Sequence, residues 1–478
     1  MPSDNRPNIL WICSDQQRYD TIGALGNPHI HTPNLDRLVA EGVAFTDAFC
    51  QTPICTPSRA AFLTGCYPST VHACANGNDT WSEAAPLVTK LLADAGYDCG
   101  LVGKLHLAGA CGRIEPRPKD DGYRVFHWSH HPMPDWTAGH AYHAWVAERG
   151  GNLPKLYEHP ENIPPELHQT AWCADVTIDF MREARQGPWL MSVNPFDPHP
   201  PFDPPAEFLG RYNPDELPDP LFRPSDIASQ SRIEADFQSV ASDPDSFQAR
   251  EKKAAYYAMI EQLDWNVGRM LDALEETGQR DSTIVVFTSD HGESLGDHGL
   301  LFKGCRFYEG LVHVPLIFSW PGHIQPGLRS NALVELIDIP ATLLELSGQA
   351  VPPHMQARSL APILTGSADP YHHREFVRSE YYRTLNPASR PQVEQASNVR
   401  KDNFEGSYAT MIRDRRYKLV VYHGQETGEL FDLDQDPGEF DNLWDNADYA
   451  DIRFKLMKLS FDALAFAIDL GPEQILYY

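Results

Sequence analysis

Short apolar runs that stop abruptly in polar residues recur along this 478-residue chain, and they leave few folds open. Asn8-Ile-Leu-Trp-Ile-Cys13 ends in Ser14-Asp15-Gln16-Gln17, and Ser282 to Phe287 ends in Thr288-Ser-Asp-His-Gly292. Uninterrupted runs of this length suit strands buried on both faces of a parallel sheet. Asp98 to Val102, Trp189 to Val193 and Val314 to Phe318 read the same way. Between them lie helical patterns at Leu35 to Glu41, Ala84 to Ala95, Thr170 to Glu183 and Lys252 to Thr277, the last with Gly278 as a C-cap. The alternation predicts an α/β fold in which a large, mainly parallel or mixed sheet is sandwiched by helices. Ligands of such sheets bind beyond the carboxyl ends of strands, so two acidic clusters distant in sequence can meet in one site.

Two proline-rich stretches, 127–168 and 198–224, read as long loops over the sheet edge, where specificity often resides. His130, His131, His140 and His143 fall in the first and are expected to be loop or substrate-edge residues. Beyond about residue 370 the texture changes: Tyr408 to Arg413 and Tyr417 to Tyr422 predict a hairpin, and Phe454 to Leu470 a closing helix. The expected organisation is a catalytic domain over 1–370 and a smaller α+β subdomain over 371–478, packed on the first.

The formal charge of −27 argues against nucleic acid or an anionic membrane as a partner. It also means that an anionic substrate would need a few deliberately placed cations. The nine cysteines include no CxxC pair, so a zinc ribbon is not expected, and most should be small buried hydrophobes. The run Ile9 to Cys13 is too short for a signal-peptide core and no stretch is long enough to span a bilayer, so the chain as given is expected in the cytoplasm. Asp432-Leu-Asp-Gln-Asp436 fails as a calcium loop, because Pro437 stands where glycine is required and Leu443 where the bidentate glutamate belongs.

Cys55-Thr-Pro-Ser-Arg59 opens a short helical pattern with Thr56 as the expected N-cap, Pro57 in the first turn and Gly65 at its end. A helix N-terminus favours an anion, and a thiol there has a lowered pKa. The string, with its trailing Ala-Ala-Phe-Leu-Thr-Gly65, resembles the C-x-P-S-R maturation motif of the formylglycine-dependent sulfatases. The resemblance implies an alkaline-phosphatase-like fold and oxidation of Cys55 by a maturation enzyme to an aldehyde whose hydrate carries two hydroxyls. One hydroxyl attacks sulfur; the other then loses its proton, and elimination expels sulfate. Water need never attack the hindered ester.

The same resemblance implies a metal held by Asp15, Gln16, Asp290, His291 and modified residue 55. Oxygen donors suit a hard cation, Ca²⁺ first with Mg²⁺ as an alternative, and the nitrogen that His291 adds makes Mn²⁺ more credible than in an all-oxygen site. Many members carry Asp-Asp and Asn where this chain has Asp15-Gln16 and His291; others share the pairs seen here. Gly103-Lys104-Leu105-His106 resembles the family's G-K-W-H segment, with Leu105 in place of the aromatic. By the resemblance, Lys104 binds a sulfate oxygen and His106 is the base for elimination. His199 and Lys303 serve the leaving group, Arg59 bridges the hydrate and nearby carboxylates, and Asn76 contacts the substrate. The implied activity is hydrolysis of an aryl, carbohydrate or other small organic sulfate. Related phosphonate monoester or phosphodiester hydrolases are the nearest alternative; the Gly-Lys-Leu-His segment ranks them second. A non-catalytic anion-binding protein and a cysteine hydrolase are further alternatives. Homo-oligomerisation is left open.

Overall fold

The structure, a computed structural model, describes residues 6–110, 113–130, 140–235, 238–384 and 406–468. Cys111, His131 and the last two residues of the expected C-terminal helix lie outside them.

The predicted runs are strands: β1 (Asn8–Ser14), β3 (Asp98–Gly103), β5 (Trp189–Asn194), β6 (Thr283–Ser289) and β7 (His313–Ser319). Sequence reasoning missed β2 (Val43–Phe49), β4 (Tyr123–Trp128), β8 (Leu328–Ser330) and β9 (Val334–Glu335). In β2 a polar Thr46-Asp47 interrupts the apolar run, and β8 and β9 are too short to show a period. The nine strands form one sheet in the order β4-β3-β5-β1-β6-β7-β2-β8, with β9 also paired to β2. β4, β3, β5, β1 and β6 run parallel, and β7 lies antiparallel to both β6 and β2.

Burial on both faces explains the lack of alternation. Ile9, Trp11, Ile284 and Val286 enter one core with Phe62 and Leu343, whereas Leu10, Ile12, Val285 and Phe287 enter another with Trp172 and Val267. The first face is covered by α2 (Cys55–Thr64), α3 (Val88–Asp94) and α7 (Asp338–Leu346). The second is covered by α1 (Pro33–Glu41), α5 (Gln169–Arg182) and α6 (Ala249–Glu276), with α4 (Ala141–Glu148) beside them. Burying an aliphatic side chain in either layer contributes about 1.5–3 kcal/mol.

Two expectations need correction. The helix expected from Ala84 begins only at Val88: Pro86 disfavours helical backbone at Ala85 before it, and the N-cap Leu87 is itself extended at ψ 147°. The stretch 127–168 is not a plain loop, since it contains α4, capped by the His140 side chain, and the short helix Leu153–Leu156, capped by that of Asn152.

The C-terminal part builds a separate antiparallel sheet from β10 (Val377–Thr384), β11 (Gly406–Arg413), β12 (Tyr417–Tyr422) and β13 (Gly428–Asp432), with α8 (Ala450–Phe466) packed on it. The hairpin through Asp414 to Arg416 is as predicted. Among the described residues no helix is long and apolar enough to cross a membrane.

Candidate active site

Register places the two acidic strand ends together. Ser14 of β1 pairs with Ser289 of β6, so Asp15 and Asp290 leave the sheet side by side. Asp290 Oδ1 accepts the Gln16 backbone N–H at 3.0 Å and Oδ2 takes the Arg59 Nε–H at 2.8 Å. Gln16 itself holds left-handed backbone at φ 72°, a conformation that costs a residue with a side chain of order 1–3 kcal/mol.

Cys55 reaches the same point from α2. It is the first helical residue, capped by Ile54 rather than by Thr56 as expected. The cap function is supplied from outside the helix: Asn76 Oδ1 accepts the Thr56 N–H at 2.9 Å. The Cys55 sulfur lies 3.1 Å from His291 Nε2, 2.8 Å from Lys303 Nζ and 3.7 Å from Asp15 Oδ1. His106 and His199 also reach it. Lys104, wholly buried, donates to Asp15 Oδ2, and Arg59 Nη1 donates to the Lys104 carbonyl at 2.9 Å.

Lys104 arrives by way of β3, whose last residue pairs with Asn194 of β5. Gly103 is required there: at φ 98° an added Cβ would stand 2.0 Å from the Asn194 carbonyl oxygen. His106 follows with φ 57°, and Glu115 holds that turn by accepting N–H groups of His106, Leu107 and Ala108 at 2.8, 2.6 and 3.0 Å. Phe196 packs under the Lys104 ammonium at 5.4 Å and against His199 at 4.4 Å between ring centres. His130, from the His-rich stretch, lies edge-on to His106 at 4.5 Å. His140 is turned away, accepting the His143 N–H at the start of α4.

Charge dominates the site's chemistry. Burial opposes ionisation of the Cys55 thiol, but Lys104, Lys303 and His291 together hold it well below the ordinary thiol range. Burial likewise opposes the Asp15 carboxylate, and Lys104 overcomes it. Burial, reinforced by Lys104, pushes His106 down to about 4. Of the residues predicted for the site, all but Asn76 touch Cys55 or the carboxylates beside it, and Asn76 bonds the backbone of the next residue, Thr56. Sequence reasoning missed Glu115, Phe196 and Glu293, although Glu293 directly follows the Thr288-to-Gly292 string and Phe196 precedes His199 by three residues.

Asp15, Cys55, Asp290 and His291 present ligand atoms that all lie within 4.8 Å of one another. The donor set fits a divalent cation. Lys104 and Arg59 occupy the outer carboxylate oxygens, and His291 Nδ1 bonds the Gly292 carbonyl at 2.8 Å, which leaves Nε2 facing the cluster.

The chain resembles known proteins over nearly its whole length. Residues 7–349 match the Sulfatase family model, and residues 296–462 match the model for the C-terminal part of N-sulphoglucosamine sulphohydrolase. An arylsulfatase of Clostridium perfringens is 28% identical over 93% of this chain and 91% of its own length. A choline-sulfatase of Rhizobium meliloti is 29% identical over 92% and 83%. Among solved structures, a phosphonate monoester hydrolase of Agrobacterium radiobacter superposes with a TM-score of 0.82 at 27% identity, covering 97% of this chain and 96% of that one. With the family model spanning well over half of the sequence, the chain belongs to the sulfatase family, the sulfuric-ester hydrolases of the alkaline phosphatase superfamily.

Proposed function

We propose that this sulfatase acts on the sulfate ester of an aryl, carbohydrate or other small organic alcohol, with residue 55 as its nucleophile after oxidation by a formylglycine-generating enzyme. One observation carries the proposal. In a chain of charge −27, Lys104, Lys303 and a candidate metal cluster converge on the single side chain that heads α2. As formylglycine hydrate, residue 55 offers one hydroxyl to attack sulfur and a second whose proton, once removed, drives sulfate out.

The remaining roles follow from position. Asp15, Gln16, Asp290 and His291 hold the cation together with residue 55, and Ca²⁺ is the first choice over Mn²⁺ and Mg²⁺. Such a cation lowers the pKa of a bound oxygen and draws charge from a sulfuryl oxygen. Lys104 and Lys303 bind sulfate oxygens. Arg59, fixed by Asp290, braces the carboxylates around residue 55. His106, with its pKa pushed down to about 4, is neutral near pH 7 and able to take the second hydroxyl's proton. His199, half-buried, and Lys303 face the departing alkoxide. Asn76 supports the helix terminus and borders the substrate. We place the catalytic domain at 1–370 and the subdomain at 371–478, on the strength of a second sheet that starts at Val377.

Asp290-His291, Asn76 and the superposition on a phosphonate monoester hydrolase favour phosphonate as a second reading. Two measurements decide. Peptide mass after co-production with a maturation enzyme should show residue 55 losing sulfur and gaining oxygen; an unmodified thiol would overturn the nucleophile. Rates on p-nitrophenyl sulfate and phenyl phenylphosphonate should favour the sulfate. A preference of about a thousandfold for phosphonate, roughly 4 kcal/mol between transition states, would reverse the choice of substrate.

A further inference from the structure

The fully buried carboxylate of Glu293 contributes no atom to the candidate metal cluster, yet it accepts three N–H groups. Oε2 takes Gln16 Nε2–H, and Oε1 takes the backbone N–H of Leu295 at 3.1 Å and of Phe302. These donors belong to the end of β1 and to the loop that delivers Lys303. We propose that Glu293 is a positioning residue: it fixes which end of the Gln16 amide faces the reaction centre, and with it the place of the Lys303 ammonium. This rests on Gln16 being a metal ligand, as proposed above.

The two ends of an amide have nearly the same shape, so packing cannot choose between them; hydrogen-bond partners must. Glu293 only accepts and therefore requires the NH₂ end. Lys303 only donates, and its Nζ lies 2.7 Å from Gln16 Oε1. Both neighbours select the same orientation, with the oxygen turned toward the side where Lys303 meets the Cys55 sulfur. An amide oxygen can ligate a hard cation and an amide NH₂ cannot, so Glu293 decides whether residue 16 ligates or repels. The loop depends on the same carboxylate. Leu295 and Phe302 both hold left-handed backbone, at φ 50° and 64°, and both direct their N–H to it just ahead of Lys303. Arg18 anchors the Glu293 backbone in turn, donating to its carbonyl at 2.9 Å.

The test is equilibrium dialysis of the metal-stripped full chain against Ca²⁺ and Mn²⁺, with thermal melting of the stripped protein as a check on folding. Glu293→Gln keeps an oxygen for the loop amides but turns an NH₂ toward Gln16. Its metal affinity is expected to fall about 10–100-fold, the usual effect of removing a ligand's supporting partner. Adding Gln16→Glu to Glu293→Gln restores a donor–acceptor pair with an oxygen toward Lys303, and should recover most of the loss. In the wild-type background the same Gln16→Glu sets two carboxylates face to face and should give no such gain. Asp290→Asn checks the underlying metal assignment. If it binds metal like wild type, that assignment fails and the proposal with it. If it loses metal while Glu293→Gln does not, or if Gln16→Glu acts equally in both backgrounds, the positioning role is overturned.

Discussion

Lys303 Nζ, 2.8 Å from the Cys55 sulfur, makes the unmodified thiol a reporter of the site's charge. An ordinary thiol with a pKa near 8.5 is only a few per cent ionised at pH 7. Cys55 should be mostly thiolate there, because Lys104, Lys303 and His291 outweigh burial. The ultraviolet thiolate absorbance, taken as the difference between wild type and Cys55→Ser made without a maturation enzyme, measures this. Lys303→Met should shift the titration to higher pH; an unshifted curve would remove Lys303 from the charge balance. At this scale the sequence was most legible. Cys55, Lys104 and Asp290 sit in strings whose chemistry is local. Glu115 and Glu293 were not legible, since a lone glutamate gives no sign of which backbone amides will surround it.

The elements carry these residues with little slack. Asp338 begins α7, which packs against α2 and so supports the helix that bears Cys55. Its carboxylate accepts the Arg358 N–H at 2.7 Å and pairs with the buried Arg374 guanidinium. Burial opposes that charge, but Arg374 and His373 hold Asp338 below the usual aspartate range. A depressed folded-state pKa gives stability that is present above the unfolded value, about 4, and lost as pH falls below it. Asp338→Asn should therefore cost roughly 3–5 kcal/mol near neutral pH, the range for a broken buried pair. The difference in melting temperature from wild type should shrink steadily below about pH 4. A pH-independent difference would show that packing, not charge, sets the effect. The strands buried on both faces were readable from apolar runs, whereas β2, β4 and the two shortest strands were not, nor were the ends of helices: Thr56 looked like a cap, while Asn76, twenty residues on, does the capping.

The whole molecule joins its two sheets through one core. Val377, Tyr381, Met411 and Val420 of the second sheet pack in the same cluster as Trp11 and Phe62. Lys418 of β12, fully buried, reaches across to Glu309 at 2.6 Å and the Phe307 carbonyl at 2.9 Å, and also pairs with Glu439 at 2.7 Å. Lys418→Met would leave two carboxylates facing each other in the interior, at an expected loss of roughly 3–5 kcal/mol. Because the core is shared, both wild type and variant should unfold in one calorimetric transition. A separate early transition in the variant would mean that the 371–478 segment folds on its own.

The strand-and-helix alternation, the reactive segment and the two acidic strand ends can be read along the chain, because each is written in residues that neighbour one another. That these pieces meet is a consequence of the folded arrangement. The pairing of Ser14 with Ser289 sets Asp15 beside Asp290, and left-handed backbone after β1 and β3 brings His106 to the Cys55 sulfur and Gln16 to the Lys303 that bonds it. A charge of −27 gives no hint of a cationic pocket; folding creates one by gathering Arg59, Lys104 and Lys303, all buried, at one point. Register, burial and charge balance are properties of residues brought together across the chain, and local sequence does not specify them.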